Sequence, residues 1–264
     1  MAAEHGLKIE RREYKYLLDT PTIDRIREAI APFCVLDKNA VGKPDNRYTI
    51  ESLYFDDHGM KLYWNNEVEA VDRFKLRIRH YPQSPGGPVF LEVKRRFNDV
   101  ISKTRGRVPA KLWQEVVADP PYVFPDAIRA QDRPAVERFL AIKGLGDYRP
   151  VTVVRYEREP HVSLVDDYAR VTFDTRIKSQ RTTDLGFDLR ENGWRHMDDA
   201  LTMGSPTSLT VLELKFTSAV PSWMVNIVRS LELQRLSFSK YGTSIRAWYS
   251  KPSPRSPNTL RNSS

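Results

Sequence analysis

Cysteine is almost missing from this 264-residue chain: Cys34 stands alone. One thiol excludes an internal disulfide framework and a multi-cysteine zinc site, so the expectation is a reducing compartment, with the cytoplasm as default. Cys34 follows Pro32 and Phe33 at a helix end and reads as core rather than nucleophile. No stretch approaches the roughly 20 apolar residues that a membrane-spanning helix requires, and the opening MAAEHGLKIERREYKY lacks the apolar centre of a signal peptide. The histidines (His5, His58, His80, His161 and His196) show no close metal-ligand spacing, which points to structural or surface roles. Solenoid repeats and an internal linker are missing too. Residues 1–250 therefore read as a single domain, and the Pro/Ser-rich tail 251–264 reads as disordered.

Hydrophobic residues make up 40% of the chain, enough for a substantial core. The net charge of +8 calls for an anionic partner without saying which: nucleic acid, acidic lipid, nucleotide and polyphosphate all remain open. The pattern along the chain narrows the choice. Helical spacing of apolar residues predicts helices over 21–33 (Thr20 as cap, Pro21 at the first position), 110–118, 135–142 and 222–233, with a last one near 240–249. Alternation with period two predicts seven strands: 9–17, 48–55, 73–81, 89–95, 151–158, 169–175 and 210–216. Residues 178–208 are polar and Gly-punctuated, and read as a long loop that orders over a ligand. Asp56-Asp57 reads as a turn after a strand, with contact to a metal as the less common alternative, and Trp223 and Met224 read as packing.

Residues two apart in a strand share a face. By that rule Arg73, Lys75, Arg77 and Arg79 stand in one row, opposite Phe74, Leu76, Ile78 and His80. Arg11, Glu13 and Lys15 share a face, as do Glu92 with Lys94 and Glu213 with Lys215. Arg158 falls with Tyr156, Arg170 with Thr172 and Asp174, and Lys103 and Arg105 extend the set. A solvated outer face mixes charge signs, because like charges directly across a ladder repel. These faces are mostly cationic, while the opposite faces are apolar enough to lie under helices. The expected architecture is therefore α+β: an antiparallel β-barrel tunnel with a polar lumen and helices packed outside. Cations crowded into a lumen need a counter-charge, since unpaired interior charge is costly. A polyanion supplies it. The planar fork of arginine suits phosphate oxygens and lysine adds a mobile point charge, so the partner expected is a chain of phosphates rather than nucleic acid. For Glu213, Glu13 and Glu92 two readings stay open: ligands of magnesium or manganese, or salt bridges to neighbouring lysines and arginines.

In chain order, RREYKY, SLYFDD, RFKLRIRHY, VFLEVKRR, ISKTRGRV, VVRYERE, ARVTFDT, LELKF and SFSKYGTSI resemble the VTC domain over most of residues 8–246. This is the polyphosphate polymerase domain of the vacuolar transporter chaperone complex and its bacterial relatives, within the triphosphate tunnel metalloenzymes. The resemblance implies phosphate binding by Lys15, Arg77, Arg79, Lys94, Lys103, Arg158, Arg170, Lys215 and Lys240, and a metal, Mn2+ or Mg2+, on Glu213. Lys94, Lys215, Lys240 and Arg158 carry the implied catalytic roles. By strand face, Arg11, Arg73, Lys75 and Arg105 join the phosphate set. Tunnel enzymes more broadly begin with Glu-x-Glu-x-Lys, and here Arg11 stands at the first of those glutamates. Its loss favours transfer of the γ-phosphoryl group of ATP to polyphosphate over hydrolysis of a triphosphate. A tunnel triphosphatase and a non-catalytic polyphosphate sensor are the alternatives, and coupling to translocation implies a membrane-protein partner.

Overall fold

A computed structural model describes residues 11–98, 100–166, 168–217, 219–236 and 238–249. His5, the first two residues of the expected strand 9–17 and the tail 251–264 lie outside the described residues, as does the side chain of Arg11. The chain runs β1 (Arg11–Leu18), α1 (Thr20–Ile30), β2 (Cys34–Leu36), β3 (Tyr48–Asp56), α2 (Lys61–Glu67), β4 (Asp72–His80), β5 (Val89–Phe97) and β6 (Val100–Val108). It continues through α3 (Trp113–Ala118), α4 (Arg133–Leu145), β7 (Arg149–Ser163), β8 (Ala169–Arg181), β9 (Arg195–His196), α5 (Ala200–Met203), β10 (Thr210–Thr217), α6 (Ser222–Ser230) and α7 (Lys240–Tyr249). Among the described residues no helix is long and apolar enough to cross a membrane.

The strands form one antiparallel sheet in the order β2-β7-β3-β4-β5-β6-β1-β10-β8-β9, and β7 pairs with β8 as well. That extra ladder brings the two ends of the row together. The seam between β6 and β1 carries a single register pair, Arg11 with Ile101. The sheet thus wraps round an interior, but among the described residues it is not zipped along every seam as a closed barrel would be.

Alternation places the core outside this wrapped sheet. Leu76, Ile78, Leu91 and Val93 are buried beneath α3 and α4 with Val116, Val136 and Phe139. On the other flank Tyr16, Val171, Phe173, Leu212, Leu214 and Phe216 pack under α1 and α6 with Ile23, Ile26, Trp223 and Met224. Cys34 is buried in the same cluster, and burial pushes its thiol up to about 11. A third cluster lies on the inner face. Ile50, Tyr54, Val154, Tyr156 and Val211 meet Phe238 and α7 residues Tyr241 and Ile245.

Several sequence expectations are corrected here. Not every helix packs outside: α7 fills part of the interior, because the inner positions of β3 and β7 are apolar there. The cap of α1 is Asp19, whose side chain accepts from Thr22 N, rather than Thr20. The short strands β2 and β9, the long strand β6 and helices α2 and α5 come in addition to those predicted. Residues 178–208 are no lid over the interior. They finish β8, form β9 and α5, and lay Leu185, Phe187, Leu189 and Trp194 on the outer core beside α3. There Phe187 meets Trp113 at 5.7 Å and His80 at 5.1 Å between ring centroids.

Candidate functional site

Register carries the charged rows of the sequence into one interior. Lys75 lies opposite Lys94, Arg77 opposite Glu92, and Glu92 in turn opposite Arg105, while Lys94 faces Lys103. On the other side Glu13 pairs with Lys215, Lys15 with Glu213, and Lys215 with Arg170. Two groups of ion pairs result.

The first centres on Glu92, which is fully buried. Its carboxylate accepts from Arg77 Nε at 2.7 Å and lies 2.6 Å from Lys103 Nζ and 3.3 Å from Arg105 Nε. Burial opposes its ionisation, but Arg79, Arg77 and Lys103 outweigh burial and hold the carboxyl well below the usual range. Arg79, only 7% exposed, is the least satisfied of these cations. It sits 4.0 Å from Glu92 and makes long bonds of 3.4 Å to Ser52 Oγ and Tyr156 Oη.

The second group centres on Glu213 and Asp174, both buried. Arg158 grips Asp174 with two bonds of 2.6 Å and donates to Glu213 at 2.9 Å. Lys240, at the start of α7, bridges Asp174 at 2.5 Å and Glu213 at 3.1 Å. Lys215 adds a 2.5 Å bond to Glu213. Burial works against ionising Glu213, yet Lys215, Lys240, Arg158 and Lys15 keep its carboxyl well below the usual range. Glu13 joins the groups across the interior, 3.1 Å from both Lys15 and Lys94.

Carboxylates do not match the cations in number. Glu13, Glu92, Asp174 and Glu213 face Lys15, Lys75, Arg77, Arg79, Lys94, Lys103, Arg105, Arg158, Lys215 and Lys240. The imbalance shows in the lysines. Burial, then the charges of Lys15, Lys94 and Arg77, pulls Lys75 well below its normal range, and its ammonium donates to Ser239 Oγ at 2.8 Å. Lys103 is pushed down to about 6 by burial and by Arg79 and Arg77, against the pull of Glu92. Lys215 falls to about 8, chiefly through burial and the charge of Arg158. Lys240 goes the other way, since Asp174 and Glu213 outweigh its burial.

Two cavities share lining residues with the interior. One, about 330 Å³, is bounded by Glu13, Lys15, Arg73, Lys75, Lys94 and Arg96. The other, about 520 Å³, lies beside Arg105 and is walled by Tyr48, Tyr81 and Phe90. Arg73 donates to Ala70 O at 2.6 Å at the rim of the first. Arg170, opposite Lys215 in the ladder, is exposed and lies over the Tyr168 ring, 5.6 Å from its centroid.

The VTC-domain family profile matches residues 10–249. The chain belongs to the VTC-domain family. No curated protein matches it. Among solved structures, a candidate adenylate cyclase from Bacillus halodurans aligns at 13% identity and TM-score 0.49, covering 92% of this chain and 98% of its own. A protein from Pyrococcus horikoshii aligns at 13% identity and TM-score 0.44, covering 90% and 99%. The Mimivirus capping enzyme triphosphatase gives 11% identity and TM-score 0.35, covering 85% and 90%. At these TM-scores the likenesses assign no activity to this VTC-domain chain.

Among the described residues of this VTC domain, no three acidic, histidine or cysteine side chains converge as a cation site. Glu213 has Asp174 beside it through shared Lys240 and Arg158, and Glu13 through shared Lys15. Such a set does not fit an all-protein metal cage. It fits an ion held by one or two carboxylates and completed by phosphate oxygens, the usual habit of magnesium.

Asp174 was visible in the sequence only as a neighbour of Arg170 on a strand face, although it fixes Arg158 and Lys240. Asp56 is a fastening, not a bare turn. Its carboxylate accepts from Leu62 N at 2.8 Å, Tyr63 N at 2.9 Å and the hydroxyl of Tyr241, tying α2 and α7 to the end of β3.

Proposed function

We propose that this VTC domain holds a linear phosphate chain in its interior and transfers the γ-phosphoryl group of ATP to the end of inorganic polyphosphate. The observation that carries the reading is the excess of buried cations over carboxylates in the interior, where burial first and neighbouring cations second depress Lys75 and Lys103. A terminal phosphate oxygen of the acceptor attacks the γ-phosphorus, the bond from that phosphorus to the β–γ bridging oxygen breaks, and ADP leaves with the bond's electrons. Such transfer needs positioning and charge neutralisation more than a covalent nucleophile.

In this reading Arg79 and Lys75 take the first phosphate oxygens, because their present bonds are few or long. Arg158 and Lys240 are held in place by Asp174 before any ligand arrives, so they lose little freedom on binding. Lys94, Lys215 and Lys15 neutralise charge along the chain. A divalent ion, Mn2+ or Mg2+, on Glu213 and phosphate oxygens would draw off charge from the transferring group.

Incubation with ATP and Mn2+, followed by separation of ADP, free phosphate and polyphosphate, tests the proposal. Polyphosphate chains are expected, and Glu213→Gln should abolish them. Free phosphate alone would establish hydrolysis, and binding without turnover a sensor. An active Glu213→Gln enzyme would remove the metal assignment.

A further inference from the structure

The two cavities differ in chemistry, and the difference gives the interior a direction. The cavity of about 330 Å³ presents Lys15, Lys75, Lys94, Arg73, Arg96 and Arg235. Phe74, Ile101, Leu236 and Phe238 line it as well, but six cations dominate it, and that charge suits phosphate. The cavity of about 520 Å³ is walled by three aromatic rings. Tyr48 and Tyr81 stand 6.0 Å apart between centroids, and Tyr81 meets Phe90 edge-on at 5.7 Å. Arg105 lies 3.5 Å over the Phe90 ring and donates to Tyr81 Oη at 3.2 Å, while its Nε reaches Glu92 in the interior. It therefore touches both the aromatic wall and the phosphate-binding row.

The wall is built rather than loose. Gln83 locks the hairpin after β4 to β3 by accepting from Thr49 N at 2.6 Å and donating to Thr49 Oγ1 at 3.1 Å. The facing segment 37–43 is pinned by Asp37 N to Pro160 O at 2.8 Å and by fully buried Ala40. Lys38 and Lys43 add positive charge to its rim.

A phosphate chain has no use for aromatic faces, whereas a nucleobase does, through stacking that tolerates any base. We infer that the Tyr48–Tyr81–Phe90 cavity holds the nucleoside end of a nucleoside triphosphate, with its phosphates running past Arg105 towards Arg79. The cavity of Lys15, Lys75 and Lys94 then takes the end of the bound chain that carries no base. This deepens the proposed function and rests on the interior binding phosphate.

The test compares ATP with inorganic tripolyphosphate by titration calorimetry on the whole chain, wild type against Tyr48→Leu and Phe90→Leu, which keep apolar bulk and remove the rings. Loss of a stacking face should weaken ATP about ten-fold in each variant and change tripolyphosphate less than about two-fold, so retained tripolyphosphate binding also reports an intact fold. Parallel changes in both ligands, or no change in either, would overturn the nucleoside assignment while leaving phosphate binding in place. If the wild type binds neither ligand, the interior is not a phosphate site and both proposals fall together.

Discussion

Replacing Glu92 by glutamine tests the electrostatics of the interior directly. The substitution preserves shape and removes the one carboxylate that faces Arg77, Lys103 and Arg105, with Arg79 at 4.0 Å. Breaking a buried ion pair by neutralising one partner costs about 3–5 kcal/mol, because the other charge is left without compensation. In a chain of this size each kcal/mol lowers the melting temperature by about 2–4 °C, so a fall of about 6–20 °C is expected. The lower end applies because Lys103, at about 6, is already largely neutral at neutral pH, so its charge is not among those left uncompensated. Tripolyphosphate should reverse the effect. A ligand at 100 times its dissociation constant adds about 2.7 kcal/mol to any protein it binds. The variant, with more unpaired cations, should bind it more tightly than the wild type does. Thermal unfolding followed by circular dichroism, with and without tripolyphosphate, reads both terms. A gap between variant and wild type that stays constant or widens at saturating ligand would refute the idea that Glu92 stands in for phosphate charge.

Protons should enter with the ligand. At pH 8 a bound polyanion lifts Lys103, Lys215 and Lys75 from their depressed positions, and about one to two protons should be taken up per tripolyphosphate. Calorimetry in two buffers of different ionisation enthalpy measures this, and zero uptake would contradict the depressed lysines. The same groups set the pH dependence of the ligand-free chain. Between about pH 6 and the normal lysine range the unfolded chain binds more protons than the folded one, so stability should rise with pH across that window and flatten when ligand is present. On the outer face, a Cβ at Gly106 would meet Val136 Cγ2 at 2.7 Å and Asp132 O at 2.9 Å. Gly106→Ala should therefore destabilise the contact of β6 with α4 by about 1–3 kcal/mol, visible in thermal unfolding.

The charged row of β4 was legible because its alternation is strict: Arg73, Lys75, Arg77 and Arg79 inward, Leu76 and Ile78 outward into the core. Strand β6 has the same inward cations but was missed as a strand. Its outer positions include Thr104 and Gly106, kept small by the approach of α4, so no apolar alternation marks it. Helix α2 escaped for a different reason. It is seven residues long, starts from left-handed Met60 at φ 58°, and takes two of its first free amides to Asp56 on the preceding strand. Neither feature belongs to a periodic pattern. The position of α7 depends on three-dimensional packing altogether. Its apolar residues fit an outside helix equally well in sequence, and only the inward Tyr54, Val154 and Tyr156 draw it into the wrapped sheet.

Carboxylates among cations proposed to bind phosphate look self-defeating until the ligand-free chain is considered. Packed together without Glu13, Glu92, Asp174 and Glu213, the lysines and arginines of the interior would repel one another with nothing to offset their burial. With the four carboxylates ionised, the interior folds empty and still carries a surplus for a polyanion. The pairing also sorts the cations by how they answer a ligand. Arg158 and Lys240 hold their bonds to Asp174 and present fixed geometry, whereas Arg79 and Lys75 gain most from new oxygens. Under the proposed transfer, a phosphate chain that advances by one unit needs both: fixed groups to define where the reacting phosphorus sits, and exchangeable ones, such as Lys94 shared with Glu13, that release one oxygen as the next arrives. A wall of unpaired arginines would bind more tightly and hold the product in place.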